Sequence, residues 1–224
     1  MDKDKLFYET AKEAINDPEK DSSRKPIAII GILLLLVLVL SSIPVYFISV
    51  NPPPDREYIS KFDLTSEERA AFNSENTSFD SINEALSNVF PDKYRSIAVR
   101  LSTNACSSSS KLCYAKALFY YSQNIRYIND PSAREYVQLP DETLTLLAGD
   151  CDDKSVLLAS LLESIGIDAD VGVTSNHAFV RAQLEDAPFW INRDSYVYLD
   201  PSSYKEFGEI SFRDEEIVRF YEIY

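Results

Sequence analysis

A run of twenty-five residues without a charged side chain constrains this chain more than any other feature. It occupies 26–50 and reads PIAIIGILLLLVLVLSSIPVYFISV. About 20 apolar residues are enough for a helix to cross the hydrocarbon core of a bilayer, so the run predicts a membrane span. A buried core helix is disfavoured because 26–40 has no polar face. A cleaved signal peptide is disfavoured because several acids precede the run and no small-x-small cleavage motif follows it.

The basic residues beside this run predict its orientation. Arg24 and Lys25 directly precede it, whereas the first cation after it is Arg56. The positive-inside rule therefore predicts a cytoplasmic N-terminus and an external C-terminal part. The predicted organisation is a tail over 1–25, a single-pass transmembrane helix over 26–50, a linker with helical segments over 51–109, and a folded domain over 110–224.

The predicted external part is strongly acidic. Residues 51–224 hold 16 basic and 29 acidic side chains, and the whole chain has a formal net charge of −14. Such a surface repels polyanions, so nucleic acid is not an expected partner. The chain has only 5 glycines and no glycine-rich phosphate-binding motif, so no nucleotide cofactor is expected.

The cysteines give the next constraint. Cys106, Cys113 and Cys151 all lie in the predicted external part, where an oxidising compartment favours disulfides. Cys106 and Cys113 flank the polar loop SSSSKL, which a disulfide could close, and this pairing would leave Cys151 free. A free cysteine there is either buried and inert or reactive. Zinc is not expected, since the spacing of three cysteines and one histidine matches no zinc site.

The order of elements after the linker predicts an α+β fold. Helical patterns occupy DSINEALSNVF and 110–128, and Thr65 followed by Glu68 resembles a capping box. An apolar helix then starts near residue 151 and ends at Gly166. Three short strand-like runs follow it, DADVGVT, HAFVRAQL and YVYLD. We therefore expect a small antiparallel sheet packed against a buried helix. The sequon Asn76-Thr77-Ser78 indicates an exposed external loop.

A thiol, an imidazole and a carboxylate occur in the order that nucleophilic catalysis requires. Cys151 starts the apolar helix, where free amides and the helix dipole stabilise a thiolate, although neighbouring carboxylates oppose this effect. His177, the one histidine, opens the second strand-like run, and Asp200 ends the third. A carboxylate in that position orients an imidazole and favours its protonated form. Each residue alone fits a structural role, but their joint occurrence predicts a triad.

These segments, GDCDDKSVLLASLLESIGIDADV, NHAFVRAQL and YVYLDPS, resemble the core of the transglutaminase-like superfamily over about residues 115–205. The resemblance implies a papain-like fold for the domain over 110–224. It implies Cys151 as the nucleophile, His177 as the general base and acid, and Asp200 as the residue that orients His177. Many relatives have tryptophan where this chain has Phe179, and no calcium-site features can be read. For the oxyanion, the Cys151 backbone amide is the generic donor and Gln138 a further candidate.

The function expected from these observations is that of a membrane-anchored cysteine enzyme without a cofactor. It would attack an amide or peptide carbonyl of a protein or peptide substrate and release the acyl group to water or to an amine. The alternative is a catalytically inactive module of the same fold that binds a partner or assembles a cell envelope.

Overall fold

The structure, a computed structural model, describes a large part of the chain. The described residues are 24–50, 52–72, 78–130 and 136–223, and within 24–50 the side chains of 29–43 and 46. The predicted tail up to residue 23 and most of the sequon lie outside the described residues. Expectations about them stay predictions.

The predicted membrane span falls within a long helix. Helix α1 is Arg24–Val50, and its described side chains from Ile29 to Ile43 are exposed. Over the side chains that the structure describes, no helix presents an apolar stretch long enough to cross a membrane. The span therefore stays a prediction. The chain divides after Ser49 into two compact units, and the second contains all the candidate site residues.

The second unit consists of helices followed mainly by strands. Its helices are α2 Arg56–Ser60, α3 Ser66–Ala71, α4 Ile82–Leu86, α5 Arg95–Ala105, α6 Lys111–Asn124, α7 Pro140–Leu146 and α8 Cys151–Ser164. Its strands are β1 Ser78–Phe79, β2 Arg126–Tyr127, β3 Val137–Gln138, β4 Ala148–Gly149, β5 Ala169–Val173, β6 Ala178–Gln183, β7 Tyr196–Leu199 and β8 Arg219–Glu222. The capping box expected at Thr65 and Glu68 is present at the start of α3.

The main sheet has four strands in the order β7-β6-β5-β8, and every neighbouring pair is antiparallel. The three strand-like runs of the sequence form β5, β6 and β7, as predicted. Strand β8 was not predicted, and it pairs with the edge of β5 that β6 leaves open. The small antiparallel sheet expected from the order of elements is therefore present with one additional strand.

Helix α8 lies at the centre of the second unit. It packs against β5 and β6 on one side and against α6 on another. Its apolar residues Val156, Leu157, Leu161 and Leu162 are completely buried. Burying a side chain of this size stabilises a fold by roughly 1.5–3 kcal/mol, so this helix anchors the core. The position of Cys151 is thereby fixed by packing further along the same helix.

The expected disulfide is present. Cys106 follows the last residue of α5, Cys113 lies in the first turn of α6, and their sulfur atoms are bonded. The bond joins two helices that also pack against each other in the core. Cys151 remains as the free cysteine and is partly exposed.

Candidate active site

The first turn of α8 places Cys151 at a helix N-terminus. Asp150 is the N-cap, and its side chain accepts a hydrogen bond of 3.2 Å from the backbone N–H of Asp152. Asp153 completes the cap, because its side chain accepts a hydrogen bond of 3.1 Å from the Asp150 N–H. Cys151 is therefore the first helical residue, where unpaired backbone N–H groups and the helix dipole favour negative charge.

His177 and Asp200 meet at one end of the main sheet. His177 directly precedes β6 and Asp200 directly follows β7, and antiparallel neighbours bring these two ends together. The His177 Nε2 atom lies 3.0 Å from Oδ2 of Asp200. This contact leaves Nδ1 as the ring nitrogen available to a thiol. The strands of the sheet thus hold the imidazole and the carboxylate in register.

Asp200 is buried and fully hydrogen-bonded. Its side chain is 1% exposed, and Oδ1 accepts hydrogen bonds of 3.2 Å and 2.8 Å from the backbone N–H and hydroxyl of Ser202. Burial raises the pKa of Asp200, but the bonds from His177 and Ser202 together hold this pKa below its ordinary value. The carboxylate therefore stays ionised and presents a fixed negative charge to the imidazole.

The surroundings of His177 favour its charged form. The hydrogen bond to Asp200 and a hydrogen bond with Cys151 raise the pKa of His177 to about 10, although burial acts in the opposite direction. At neutral pH the imidazole is therefore protonated. The structure brings Cys151, His177 and Asp200 together, with His177 between the other two. Their catalytic roles stay a prediction.

Aromatic rings cover the site on the sheet side. The ring of Phe212 lies edge-on to His177 with a centroid distance of 6.0 Å, and 4.4 Å from the ring of Phe179. Phe179 is completely buried and packs on Gly172, where an added Cβ would come within 2.4 Å of its ring. Phe179, at the position where the resemblance implies a tryptophan, thus packs on Phe212, which in turn packs on His177. Phe212 follows the predicted strands and was not identified from the sequence.

Tyr127 interacts with the sulfur of Cys151 and was also not identified from the sequence. Strand β2 pairs in parallel with β4, and this pairing places Tyr127 opposite Gly149, just before α8. Burial, the negative charges of Cys151 and of nearby aspartates, and a hydrogen bond with Cys151 raise the pKa of Tyr127 to about 12. The phenol therefore remains protonated at neutral pH and can donate to the sulfur. A strand of two residues has no periodicity by which the sequence could reveal this contact.

Gln138, the further candidate for the oxyanion donor, lies near the cap of α8, and its hydrogen bonds join it to Asp153 and Thr143. Its backbone N–H donates a hydrogen bond of 2.7 Å to Oδ1 of Asp153. Its side-chain oxygen accepts a bond of 3.1 Å from the Thr143 hydroxyl. Through these bonds Gln138 connects the buried carboxylate of Asp153 to α7, so its contacts support a role in holding the first turn of α8.

The carboxylates around Cys151 form a compact group. Oxygen atoms of Asp150, Asp152 and Asp153 lie within 4.8 Å of one another, a spacing that could hold a cation. Burial is the main cause that raises the pKa of Asp152 to about 10 and that of Asp153 to about 7. Their capping bonds give these groups a structural use without a metal. The expectation that the protein needs no metal or cofactor stays a prediction.

Comparison with a protein family agrees with this geometry. The family model of the transglutaminase-like superfamily matches residues 96–201, slightly less than half of the chain. The matched range contains Cys151, His177 and Asp200. Residues 96–201 are therefore similar to this superfamily. The matched range includes most of α5, the whole of α8 and three of the four strands of the main sheet.

Two solved structures are similar to this chain. One is named a "putative protease" from Parabacteroides distasonis, with 15% identity, a TM-score of 0.42, and a match covering 62% of this chain and 27% of that one. The other is named a "putative cysteine protease" from Cytophaga hutchinsonii, with 17% identity, a TM-score of 0.36, and coverage of 67% and 48%. This chain therefore spans less than half the length of either protein. No curated protein sequence matches it.

Proposed function

We propose that this protein is a membrane-anchored cysteine enzyme that attacks an amide or peptide carbonyl of a protein or peptide substrate. The observation that carries the proposal is the arrangement around His177, which bonds to buried Asp200 on one side and to Cys151 on the other. A thiol at a helix N-terminus beside a protonated imidazole is the pair that nucleophilic cysteine chemistry requires.

In the proposed reaction, the Cys151 thiolate attacks the carbonyl carbon and forms a tetrahedral intermediate. The backbone N–H of Cys151 is suited to stabilise the oxyanion. His177 gives its proton to the departing amine, and the intermediate collapses to an acyl-thioester. His177 then takes a proton from water, for hydrolysis, or from an amine, for acyl transfer. Asp200 keeps the imidazole in position throughout and remains ionised.

The proposal also includes the anchor and the external location. The uncharged run over 26–50, with Arg24 and Lys25 before it, supports a single span with the N-terminus in the cytoplasm. The bond between Cys106 and Cys113 supports an oxidising location for the second unit.

Reaction of Cys151 with iodoacetamide tests the chemistry. The full-length protein in detergent, with its disulfide intact, is alkylated at a series of pH values beside a His177→Ala variant. We expect fast alkylation at pH 6, where an ordinary thiol with a pKa of ~8.5 is almost wholly protonated, and loss of that rate in the variant. A Cys151→Ser variant is the control for labelling elsewhere.

The same experiment discriminates the proposal from its alternative. Slow alkylation that follows an ordinary thiol in both proteins would refute the enzyme proposal. It would favour an inactive module of this fold that binds a partner or assembles an envelope. Absence of labelling in the native protein, with labelling after unfolding, would mean a structural Cys151 and would favour the same alternative.

Labelling in intact cells tests the orientation. Tyr204 is fully exposed, so Tyr204→Cys in a Cys151→Ser background offers a thiol on the second unit. A membrane-impermeant maleimide should label this position, and should label Lys3→Cys in the tail only after the cells are broken. Labelling in the opposite order, or of both thiols at once, would contradict the proposed topology.

A further inference from the structure

A cavity of about 540 Å³ opens beside the site, and its lining includes three cationic side chains and one carboxylate, that of Glu206. Arg56, Arg126 and Lys154 come from three separate segments of the chain and converge on it. We call it the cationic cavity. Since 51–224 carries far more acidic than basic side chains, three cations around one cavity run against the charge of the unit as a whole.

Two residues that line the cationic cavity also interact with Cys151 or Asp200. Tyr127 lines it and hydrogen-bonds with Cys151. Ser202 lines it and donates two hydrogen bonds to Asp200. A group bound in the cavity is therefore separated by one side chain from Cys151 and by one from the carboxylate that orients His177.

Lys154 carries a buried charge at the cavity wall. The residue is 2% exposed, and its Nζ atom donates hydrogen bonds of 3.2 Å and 2.9 Å to the carbonyl oxygens of Gln123 and Ile125. An ammonium group has three protons, so one donor remains beyond these two bonds. Within the described residues no carboxylate forms an ion pair with Lys154. A buried cation with no carboxylate in ion-pair contact is costly; the nearby charge of Asp200 offsets part of this cost, and an incoming anion would offset more of it.

The two arginines that line the cavity differ in how far their charge is already offset. Arg56 stacks on the ring of Tyr120 at 3.3 Å and lies 3.7 Å from Glu206, which offsets part of its charge. Arg126 is exposed, and in the described part of the chain its guanidinium takes part in no ion pair or side-chain hydrogen bond. Arg126 is thus the cation most readily available to a ligand.

We propose that the cationic cavity binds a carboxylate of the substrate, through Arg126 and Lys154, while the neighbouring amide is attacked by Cys151. The proposal rests on the proposed function and narrows its substrate class to peptides with an acidic side chain or a free C-terminal carboxylate close to the reacting bond. Arginine binds a carboxylate through two parallel hydrogen bonds, and these give direction as well as affinity.

Burial lowers the pKa of Lys154 to about 8, while the charge of Asp200 opposes this effect. At pH 7 the ammonium form therefore still predominates. The cavity is expected to hold most of its positive charge at pH 7 and to lose the charge of Lys154 as the pH rises through about 8.

Matched alkylating reagents test the proposal on the full-length protein. N-iodoacetylglycine carries a carboxylate and N-iodoacetylglycinamide is its neutral counterpart, so the ratio of their rates with Cys151 isolates the effect of charge. We expect the anionic reagent to react about tenfold faster, because charge-assisted hydrogen bonds are the strong ones. Arg126→Gln should remove most of this preference, and Arg126→Lys should restore part of it.

Arg219→Gln is the control, because it removes the same charge from β8, at the edge of the sheet opposite β7. The ratio should stay at the native value in this variant. An equal ratio in the native protein and in Arg126→Gln would overturn the proposal. A third reagent, N-iodoacetyl-aspartic acid amide, distinguishes the two sources of carboxylate, since a larger preference for it indicates an acidic side chain.

Direct binding separates this proposal from the proposed function. In the Cys151→Ser protein, N-acetylglycine should shift the NMR signal of the Arg126 Nε–H group, and N-acetylglycinamide should not. This shift is expected even if Cys151 proves unreactive, in which case only the enzyme proposal fails. Absence of a shift with N-acetylglycine at concentrations up to tens of millimolar, beside a reactive Cys151, would refute the cavity proposal alone.

Discussion

The first turn of helix α8 and the turns that follow it, its polar and apolar ends, are both largely buried, yet they are built from opposite kinds of residue. The first turn contains Asp152, Asp153 and Lys154, each less than a tenth exposed. The following turns contain Val156, Leu157 and other apolar residues with no exposed surface. Burial of the apolar end stabilises the fold, whereas burial of ionisable groups costs several kcal/mol per ion unless they are paired.

This difference separates the part of the helix that stabilises the fold from the part that holds Cys151. The carboxylates at the first turn have raised pKa values because they are buried together, and the fold tolerates them beside Cys151. The apolar end of the same helix offsets that cost and fixes the helix in place. One element thus combines a rigid apolar support with a first turn in which ionisable groups are buried.

The largest expected effect comes from removing the sulfur at the polar end. With a model p-nitrophenyl ester as substrate, Cys151→Ser should lower turnover by at least ~1,000-fold, since a serine in this place lacks the acidity of a thiol. The melting temperature should change little, because the core end of α8 is untouched. Equal turnover in both proteins would show that the ester is cleaved elsewhere.

The second-largest effect is expected from a substitution at the apolar end of α8. Leu157→Ala removes a completely buried side chain and should lower the free energy of unfolding by ~2–5 kcal/mol, measured by urea denaturation. The molecules that remain folded should keep the native dependence of alkylation on pH. A change in that dependence would mean that the two ends of the helix are not independent.

A smaller effect tests the cost of the buried carboxylates. The pKa of Asp152 is about 10 in the folded protein, mainly because of burial, whereas an unfolded aspartate has a pKa of ~3.9. The unfolded state therefore loses this proton first, and stability falls as pH rises from ~4 towards 10. Asp152→Asn has no such proton, so its stability relative to the native protein should rise by about 1 kcal/mol or more between pH 5 and 8. Parallel stability curves in thermal denaturation would contradict this cause.

The smallest effect concerns the hydroxyl that faces the sulfur. Tyr127→Phe removes the hydrogen bond to Cys151 and leaves the ring in place. We expect the alkylation rate at pH 6 to fall ~3- to 10-fold, which corresponds to a typical hydrogen bond of ~1 kcal/mol, and the rate at pH 9 to change little. A uniform fall at both pH values would indicate a shift of the backbone instead.

The sequence was sufficient to predict the central elements of the fold. Helix α8 begins with capping carboxylates and has an apolar body, and β5, β6 and β7 are short β-branched or aromatic runs with polar turns between them. Their order also brought out Cys151, His177 and Asp200. These features are local, so they leave a pattern in neighbouring residues.

The features that the sequence did not predict depend on contacts between distant segments. Tyr127 reaches the sulfur through a pairing of two-residue strands, and Phe212 reaches His177 from a segment without regular structure. The cationic cavity likewise combines Arg56, Arg126 and Lys154. No periodicity marks such residues, because only the folded chain places them side by side.

The position of β8 has a consequence for the order in which the site is completed during synthesis. The two strands that pair with β5 are synthesised at different times. β6 directly follows β5, whereas β8 is made only after β7 and the segment that carries Phe212. A growing chain therefore already contains the thiol, the imidazole and their carboxylate while the sheet beneath them still lacks a strand. Strand β8 can pair with β5 only after the ribosome has passed residue 222. The nascent chain therefore carries these three groups for a time without the complete four-stranded sheet.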